Sequence, residues 1–305
     1  MHTNNIEKPV VIAEIGCNHM GNIEVAKHMI HVAKFVCDVS IVKFQKRSPR
    51  ELLPPAVYNN PHPNEHHSFG KTYGEHREFL EFTKAEHQEL KKYCEKIGIE
   101  YFTSVWDITS AKDIISLKPK RIKVPSASNL NFPLLSYLCD NFKGEIHISL
   151  GMTTPKEQSE IVSFLKKKKR NKDVVLYACT SGYPVPFEDV SLLEIRRLKK
   201  EFGATVKGIG FSGHHLGIAI DPVAYHLGAH YIERHFTLDR TAKGTDHAAS
   251  LEPDGLRKLA RNLKEVYLAL QYKKKDILDI EVAQRQKLKS HQIVKNHTST
   301  RAKKK

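Results

Sequence analysis

The sequence alternates short β-rich runs with longer helical patterns from residue 10 to residue 270. The eight candidate strands are residues 10–15, 41–45, 99–105, 121–125, 145–150, 174–179, 207–211 and 231–236. A strand followed by a helix and a further strand favours parallel pairing, because the helix carries the chain back along the sheet. Eight such units are the number that closes a (β/α)8 barrel, so we predict an α/β protein with the TIM-barrel fold.

Amphipathic segments, with apolar residues recurring at spacings of three and four, separate these runs. They are residues 22–36, 84–97, 108–117, 155–169, 190–202, 218–227 and 255–270. Glycines at positions 98, 203 and 228 stand where helices should end before the next strand. We therefore place a barrel domain at residues 1–272. The composition then becomes basic and polar, which predicts a flexible tail at residues 273–305.

The composition excludes several classes of protein. Of the 305 residues, 40% are hydrophobic and 27% are charged, which argues against disorder over most of the length. No apolar run approaches the roughly 18 residues that span a bilayer, and the first residues lack the apolar stretch of a signal peptide. We therefore expect a cytoplasmic protein with no membrane partner. The five cysteines are odd in number and include no CxxC pair, so we interpret most of them as small buried hydrophobic residues.

The charge balance is basic, with 49 Lys+Arg against 34 Asp+Glu and a formal net charge of +15. Lysine runs at residues 166–170 and in the tail could in principle bind nucleic acid. They come without interleaved aromatic residues or a recognised nucleic-acid module, so we interpret them as solvated surface and do not expect nucleic-acid binding.

Polar residues follow or occupy the carboxyl ends of all eight predicted strands. They are Glu14, Lys43, Gln45, Ser104, Lys123, Ser126, Ser149, Thr180, Ser181, Ser212, His214 and His235. In a barrel this end carries the active site, so a polar set on every strand predicts a site there.

Two of these residues are lysines inside apolar strands, Lys43 and Lys123. A buried ammonium is costly unless it meets a carboxylate or an anionic ligand. Two lysines with several hydroxyls suit a phosphate or a carboxylate, which the sequence therefore predicts as ligand. The alternative is structural ion pairing with Glu14 and Asp107, which the scarcity of carboxylates on neighbouring strands argues against.

The two histidines, His214 and His235, fall on adjacent predicted strands at the same end of the barrel. Two neutral imidazoles with open positions for water or substrate could hold Mn²⁺, Zn²⁺ or Fe²⁺. The alternative is that they are packed or surface histidines, of which this chain has many.

Two connections stand apart from the ordinary ones. Residues 45–83 form a loop much longer than usual, and we interpret it as a functional lid or substrate wall. The segment 243–253 contains small residues that allow close approach of a ligand, and Asp246 could accept hydrogen bonds from sugar hydroxyls. The alternative for Asp246 is an Asx turn that closes the barrel.

Seven motifs together resemble the sialic acid synthase family, whose members condense phosphoenolpyruvate with an N-acetylated hexosamine. They are residues 12–19, 43–46, 70–76, 179–184, 211–214, 233–239 and 244–253. The match runs in order over about residues 9–270 and touches every strand. The long second connection and the segment 244–253 are similar to the animal-type N-acetylneuraminate synthases, which can use phosphorylated acceptors.

The resemblance implies a TIM barrel in which His214 and His235 bind Mn²⁺. It implies that phosphoenolpyruvate is bound by Lys43, Lys123, Ser104, Ser126, Ser149 and Ser212. Glu14 would face the reacting end of that ligand, and Tyr183 and Asp246 would face the acceptor sugar. We accordingly predict Glu14, Lys43, Lys123 and Asp246 as catalytic. The remaining substrate-binding residues on this prediction are Gln45, Ser104, Ser126, Ser149, Thr180, Tyr183 and Ser212. The resemblance also implies a homodimer.

The chain departs from the family in two places. In relatives an acidic residue follows the serine of the fourth-strand motif, whereas here Ser128 stands in its place. Either Glu14 or Asp246 then transfers the proton, or the enzyme is slow or takes another acceptor. Relatives also append an antifreeze-like domain, and we expect this chain to be the barrel domain alone. Two alternatives to sialic acid synthesis remain open: a synthase for another 2-keto-3-deoxy sugar acid, and a catalytically weakened barrel that binds a ligand or partner.

Overall fold

The structure is a computed structural model that describes residues 6–289. Eight parallel strands form a closed barrel in which each strand pairs with the next along the chain and β8 pairs with β1. The strands are β1 Val10–Gly16, β2 Ile41–Lys46, β3 Glu100–Val105, β4 Arg121–Val124, β5 Glu145–Ser149, β6 Val174–Cys179, β7 Gly208–Gly213 and β8 Tyr231–His235. The predicted TIM barrel is confirmed, and every predicted strand end lies within two residues of the observed one.

Helices connect the strands around the outside of the barrel. They are α1 Ile23–Phe35, α2 Pro49–Leu52, α3 Pro55–Asn59, α4 Tyr73–Phe79, α5 Lys84–Ile97, α6 Ile108–Ser116, α7 Phe132–Asn141, α8 Pro155–Lys167, α9 Leu193–Phe202, α10 Asp221–His226, α11 Pro253–Ala269 and α12 Asp279–Leu288. The predicted helices all form. The sequence analysis missed α7, which links β4 to β5, and the three short helices α2, α3 and α4 inside the long second connection. It also missed α12, which lies in the segment predicted as a flexible tail.

Local sequence signals explain where the helices begin and end. Thr83 caps α5, since its hydroxyl accepts from the Glu86 amide while the Glu86 carboxylate accepts from the Thr83 amide. Gly98 ends the same helix in the left-handed region at φ 72°, which a residue without Cβ adopts at little cost. The chain then enters β3 at Glu100, as the sequence predicts.

The barrel interior below the carboxyl ends of the strands is a packed core rather than a channel. Ile12, Phe102, Val175, Tyr177 and Tyr231 lie against one another there. Each fully buried side chain of this size stabilises the fold by about 1.5–3 kcal/mol relative to exposure. The polar side chains of the next layer, toward the carboxyl ends of the strands, pack on this core.

The chain divides into two compact units. The larger, residues 7–267, contains the barrel. The smaller includes residues 268–289 and contains α12, whose Glu281 and Asp279 pair with Lys273 and Lys275 at 2.9 Å and 2.6 Å. The last part of the predicted tail, from residue 290, lies outside the described residues. Within residues 6–289, no helix combines the length and the apolar character needed to cross a bilayer.

Candidate active site

A cavity of about 300 Å³ opens at the carboxyl ends of the barrel strands. Ser149, Cys179 and His235, the last residues of β5, β6 and β8, contribute to its wall. Most of the predicted site residues line it, namely Glu14, Lys43, Gln45, Ser104, Lys123, Ser126, Ser149, Tyr183, Ser212, His214 and His235. Since TIM-barrel enzymes carry their active sites at this end, the cavity is the candidate active site.

Two predicted site residues, Thr180 and Asp246, are not among the residues that line this cavity. The Thr180 hydroxyl donates to the Asp189 carbonyl at 2.8 Å, so it faces its own loop rather than the cavity. Asp246 lies just behind the wall, with Oδ2 3.9 Å from His235 Nδ1. It is therefore placed to act on a ligand that extends beyond His235.

The two lysines are joined by a carboxylate that the sequence analysis missed. Glu233 Oε1 lies 2.7 Å from Lys123 Nζ and 3.5 Å from Lys43 Nζ. Lys43 also pairs with Glu14 Oε2 at 2.7 Å and donates to Ser104 Oγ at 2.9 Å. Both ammonium groups are thus partnered before any ligand binds, which corrects the expectation that carboxylates are scarce around them.

Asp107, the other carboxylate that the ion-pairing alternative invoked, lies elsewhere. It caps α6 by accepting from the Ser110 amide at 2.6 Å and also accepts from the Ser48 amide at 2.7 Å. The ion-pairing alternative is therefore correct for Glu14 and wrong for Asp107.

The electrostatics of the cluster formed by Glu14, Lys43, Lys123 and Glu233 suit an anionic ligand. Burial raises the pKa of Glu14, with Lys43 opposing this shift and the Glu233 charge adding to it. Burial lowers the pKa of Lys123 despite its partner Glu233. The pKa of Glu233 is lowered to about 2 because the two lysines outweigh burial, so this carboxylate stays charged. A nearby anionic ligand would favour the charged form of Lys123.

Serine hydroxyls complete this side of the cavity. Ser212 donates to Glu233 Oε1 at 3.1 Å, and Ser126 points at the Cys179 thiol with Oγ 3.6 Å from Sγ. Gly151 follows β5, and a Cβ there would lie 2.6 Å from the Ser126 and Ser181 hydroxyl oxygens. The absence of a side chain at Gly151 therefore lets both hydroxyls approach the backbone there.

The two histidines lie close together, His235 at the end of β8 and His214 directly after β7. Their ring centroids are 5.4 Å apart, and the Tyr183 ring lies 4.4 Å from His214 and 5.8 Å from His235. His214 Nδ1 donates to the Thr180 carbonyl at 2.9 Å. Burial lowers the pKa of His214, but the charge of and hydrogen bond to Cys179 outweigh it, so the net shift is upward. Burial lowers the pKa of His235 to about 3, so this imidazole is neutral and able to accept. Thr180 thus contributes to the site through its backbone.

These histidines fit a divalent metal as an incomplete ligand set. His235 Nδ1 is buried without a hydrogen-bond partner, and neutral imidazoles are common ligands of Mn²⁺, Fe²⁺ and Zn²⁺. Among residues 6–289 no cluster of three or more histidine, cysteine, aspartate or glutamate side chains could hold a metal. Substrate and water would therefore have to fill the remaining coordination positions.

Cys179 is a further lining residue that the sequence analysis interpreted only as a small hydrophobic residue. Cys37, Cys94 and Cys139 are buried as that interpretation expects, whereas Cys17 and Cys179 are half-buried. Burial raises the pKa of Cys179, but contact with His214 outweighs it and the net shift is downward. No sequence signal distinguishes this cysteine from the others except its place at the end of a strand.

Ser128, which stands where relatives have an acid, does not line the cavity. Its hydroxyl is buried and donates to the Trp106 carbonyl at 2.9 Å. The side chain therefore stabilises the turn after β4 and leaves proton transfer to other groups.

The long second connection and the segment after β8 meet beside the cavity. The Gly244 amide donates to His67 Nδ1 at 3.2 Å, and Lys243 Nζ lies 4.9 Å from the Phe69 ring centroid. Arg47 pairs with Glu81 at 2.5 Å. Burial raises the pKa of Asp246, but His235, the Thr245 hydroxyl and the more weakly acting Arg77 and Arg47 lower it overall. Of residues 45–83, Gln45 alone lines the cavity, so the lid or substrate wall stays a prediction.

A closed eight-stranded parallel barrel with a polar, anion-receptive cavity at its carboxyl end defines a TIM-barrel enzyme. The sequence model of the NeuB family matches residues 29–275, and the chain belongs to that family. It is an enzyme of the sialic acid synthase type, as the resemblance implies.

Curated relatives and solved structures agree with this assignment. The chain is 38% identical to the N-acetylneuraminate-9-phosphate synthase of Homo sapiens over 93% of its own length and 77% of that protein. It is 32% identical to the N,N'-diacetyllegionaminic acid synthase of Legionella pneumophila over 85% of its length and 72% of that protein. The crystal structure of an N-acetylneuraminic acid synthetase from Leptospira borgpetersenii superposes with a TM-score of 0.76 at 28% identity. That match covers 94% of this chain and 96% of the other.

Proposed function

We propose that the protein condenses phosphoenolpyruvate with an N-acetylhexosamine to give a nine-carbon sialic acid and phosphate. The acceptor on this proposal is N-acetylmannosamine or its 6-phosphate, and the reaction depends on a divalent metal such as Mn²⁺. The observation that carries it is the presence, in one cavity, of two buried lysines and two neighbouring histidines.

The lysine side of the cavity suits phosphoenolpyruvate. Its phosphate and carboxylate offer many acceptor oxygens, and Lys43, Lys123 and the serine hydroxyls offer the matching donors. These donors are held by Glu14 and Glu233, so they need not reorganise when charge develops on the phosphate.

The chemical steps then follow from the placement of the groups. Carbon 3 of phosphoenolpyruvate attacks the aldehyde carbon of the open-chain sugar, and a carbon–carbon bond forms. A water adds to the cationic carbon 2, loses a proton, and the tetrahedral carbon expels phosphate. A metal held by His214 and His235 would polarise the aldehyde oxygen. Glu14, whose pKa is raised by burial, gives that oxygen its proton and regains one from the water.

The carbon count links acceptor and product. Three carbons come from phosphoenolpyruvate and six from the sugar, so carbon 6 of the acceptor becomes carbon 9 of the product. A relative named as a 9-phosphate synthase therefore takes a 6-phosphorylated acceptor, and 38% identity brings this acceptor into the proposal for the present chain.

The test is phosphate release from phosphoenolpyruvate by metal-stripped protein, with and without Mn²⁺. The acceptor panel is N-acetylmannosamine, its 6-phosphate, mannose and arabinose 5-phosphate. We expect release that requires both metal and one of the N-acetylated acceptors. Release with mannose or arabinose 5-phosphate alone would support a different 2-keto-3-deoxy sugar acid. Binding of phosphoenolpyruvate without release on any acceptor would contradict the proposal and favour a binding barrel.

The metal assignment has its own readout. We expect wild-type protein to reduce the free Mn²⁺ signal in electron paramagnetic resonance, and His235→Ala to weaken this binding at least about tenfold. His226, at the end of α10, does not line the cavity, and His226→Ala is the matched control. Equal Mn²⁺ binding by wild type and His235→Ala would remove His235 from the site.

A further inference from the structure

A buried arginine, Arg234, lies on β8 between two residues of the cavity wall. Glu233 and His235 both line the cavity, and successive side chains of a strand point to opposite faces of the sheet. Arg234 therefore points outward from the barrel, toward the connection between β7 and α10. Its side chain is fully buried there. Because a buried charge needs partners, the groups that it binds indicate its role.

The guanidinium binds the connection between β7 and α10 at three residues. Nη2 donates to the His215 carbonyl at 2.5 Å, and Nη1 donates to the Gly217 carbonyl at 2.9 Å. Nη1 also donates to Asp221 Oδ2 at 2.7 Å and to His215 Nε2 at 2.8 Å. Asp221 is the first residue of α10 and is itself fully buried. One side chain of β8 thus holds both the start and the end of this connection.

These bonds connect the two histidines of the cavity. The last pair of the β7–β8 ladder is Gly213 with Arg234, so His214 lies just beyond the strand pairing. His214 directly precedes His215, whose carbonyl Arg234 binds, and His235 directly follows Arg234. The ring centroids of His214 and His235 lie 5.4 Å apart. A change in the way Arg234 holds the connection would alter that separation.

The other backbone and side-chain bonds of His214 lead to an irregular segment. Its Nδ1 donates to the Thr180 carbonyl at 2.9 Å, and its carbonyl accepts from the Val185 amide at 3.0 Å. Both partners belong to the connection after β6, which forms neither helix nor strand between Cys179 and Phe187. Arg234 is therefore the contact that ties His214 to the regular structure of β8.

The shape of an arginine suits this task. A planar guanidinium holds its nitrogens at a fixed spacing, so it binds two carbonyls and a carboxylate in one geometry. A lysine at position 234 would offer a single nitrogen, which could not keep the partners of Nη1 and Nη2 together. The ion pair with Asp221, 2.7 Å away, compensates the buried charge.

We propose that Arg234 is a positioning residue that sets the separation of His214 and His235, and with it the affinity of the cavity for a divalent metal. The proposal rests on the metal site of the proposed function and assigns its geometry to a side chain that does not line the cavity. Residues that orient metal ligands typically change metal affinity by about 10- to 100-fold when they are replaced.

The double variant Arg234→Met/Asp221→Asn is the main test. It removes both buried charges together, so the fold should keep most of its stability while the bonds to the connection are lost. We expect Mn²⁺ binding, measured by electron paramagnetic resonance, to weaken at least about tenfold. Calorimetric affinity for phosphoenolpyruvate without metal should stay within about twofold of wild type. A stable double variant with wild-type Mn²⁺ affinity would overturn the proposal.

Arg234→Lys and Arg170→Lys form a matched pair of single variants. Arg170 lies between α8 and β6, at the end of the barrel opposite the cavity, where it donates to three carbonyls of residues 139–144 and pairs with Asp173 at 2.8 Å. Both changes replace a guanidinium by an ammonium, so both should lower the melting temperature. Only Arg234→Lys should also weaken Mn²⁺ binding. Equal Mn²⁺ affinity in the two variants would mean that Arg234 only stabilises the fold.

Crystal structures of the metal-free proteins separate this proposal from the proposed function. They measure the separation of the His214 and His235 rings whatever the protein binds or catalyses. We expect this separation to differ between wild type and the double variant by more than about 0.5 Å. A changed separation in a protein whose wild type binds no Mn²⁺ would contradict the proposed metal and keep Arg234 as a positioning residue. An unchanged separation would overturn the proposal even if wild type binds Mn²⁺ and releases phosphate.

Discussion

At the scale of single residues, the site is organised by one buried carboxylate. Glu233 holds Lys123 at 2.7 Å, approaches Lys43 at 3.5 Å and accepts from Ser212 at 3.1 Å. Lys123 also lies 4.3 Å from the Tyr177 ring centroid, so the ammonium has a carboxylate on one side and an aromatic face on another. For a phosphate ligand, the Lys43, Lys123 and Ser212 donors would already be in position. Its negative charge would, however, be repelled by the nearby Glu233 carboxylate.

Lys123→Met tests whether Lys123 acts on substrate or only neutralises Glu233. Removing the ammonium leaves a buried carboxylate short of its nearest partner, and we expect a loss of about 3 kcal/mol in the free energy of unfolding. The double variant Lys123→Met/Glu233→Gln removes both charges and should regain most of that stability. Neither variant should release phosphate. Denaturant unfolding and phosphate release measure the two effects, and a double variant with wild-type turnover would exclude Lys123 from catalysis.

At the scale of secondary structure, the loop after β5 lets two hydroxyls of the cavity wall approach its backbone because its second residue, Gly151, has no side chain. In Gly151→Ala the added methyl group would lie between the Ser126 and Ser181 hydroxyls. We expect the KM for phosphoenolpyruvate to rise about tenfold with little change in kcat, because the change affects binding rather than the reacting carbons.

The control for that change is Gly98→Ala. Gly98 lies between α5 and β3, at the end of the barrel opposite the cavity. Nothing lies within 4 Å of a Cβ there, but the φ of +72° strains a side chain. This variant should lose about 1 kcal/mol of stability and keep the wild-type KM. An unchanged KM in Gly151→Ala would show that the substrate does not approach this loop.

The elements of the barrel could be predicted from the sequence because short β-rich runs alternate with longer amphipathic helical segments, several of which end at glycine. Helix α7 was missed although it buries Leu134, Leu135 and Leu138 in a regular pattern. The helices α2 and α3 span only four and five residues, too few for a helical period to show.

The site could be predicted in part, where a polar residue contrasts with the apolar strand around it. Lys43 and Lys123 stand out as charges inside apolar strands. Glu233 does not stand out, because Arg234 and His235 follow it in one charged run. Its partner Lys123 is 110 residues away in the sequence. Only the closure of the barrel through β8 and β1 brings the carboxylate to the lysines. Such a contact between distant residues has no local sequence signal.

At the scale of the whole molecule, several buried histidines make the fold sensitive to acid. Burial lowers the pKa of His19 and His87 to about 3 and that of His147 to about 4. Between these values and 6.5 the unfolded chain binds protons that the folded chain does not. The free energy of unfolding therefore falls as the pH falls through this range.

His87→Phe measures this effect at one site. The His87 ring lies among Phe44, Phe82 and Tyr101, so phenylalanine suits the space, and the lost bond to the Tyr101 hydroxyl costs the same at every pH. Each such histidine should lower the stability by about 2 kcal/mol between pH 7 and pH 5. We expect urea unfolding of His87→Phe to show a loss between these two pH values smaller than that of wild type by this amount. His28 is exposed on α1, and His28→Gln should keep the wild-type loss. An equal loss in His87→Phe and wild type would mean that the folded protein admits a proton at His87, so that its burial does not set the acid limit of the barrel.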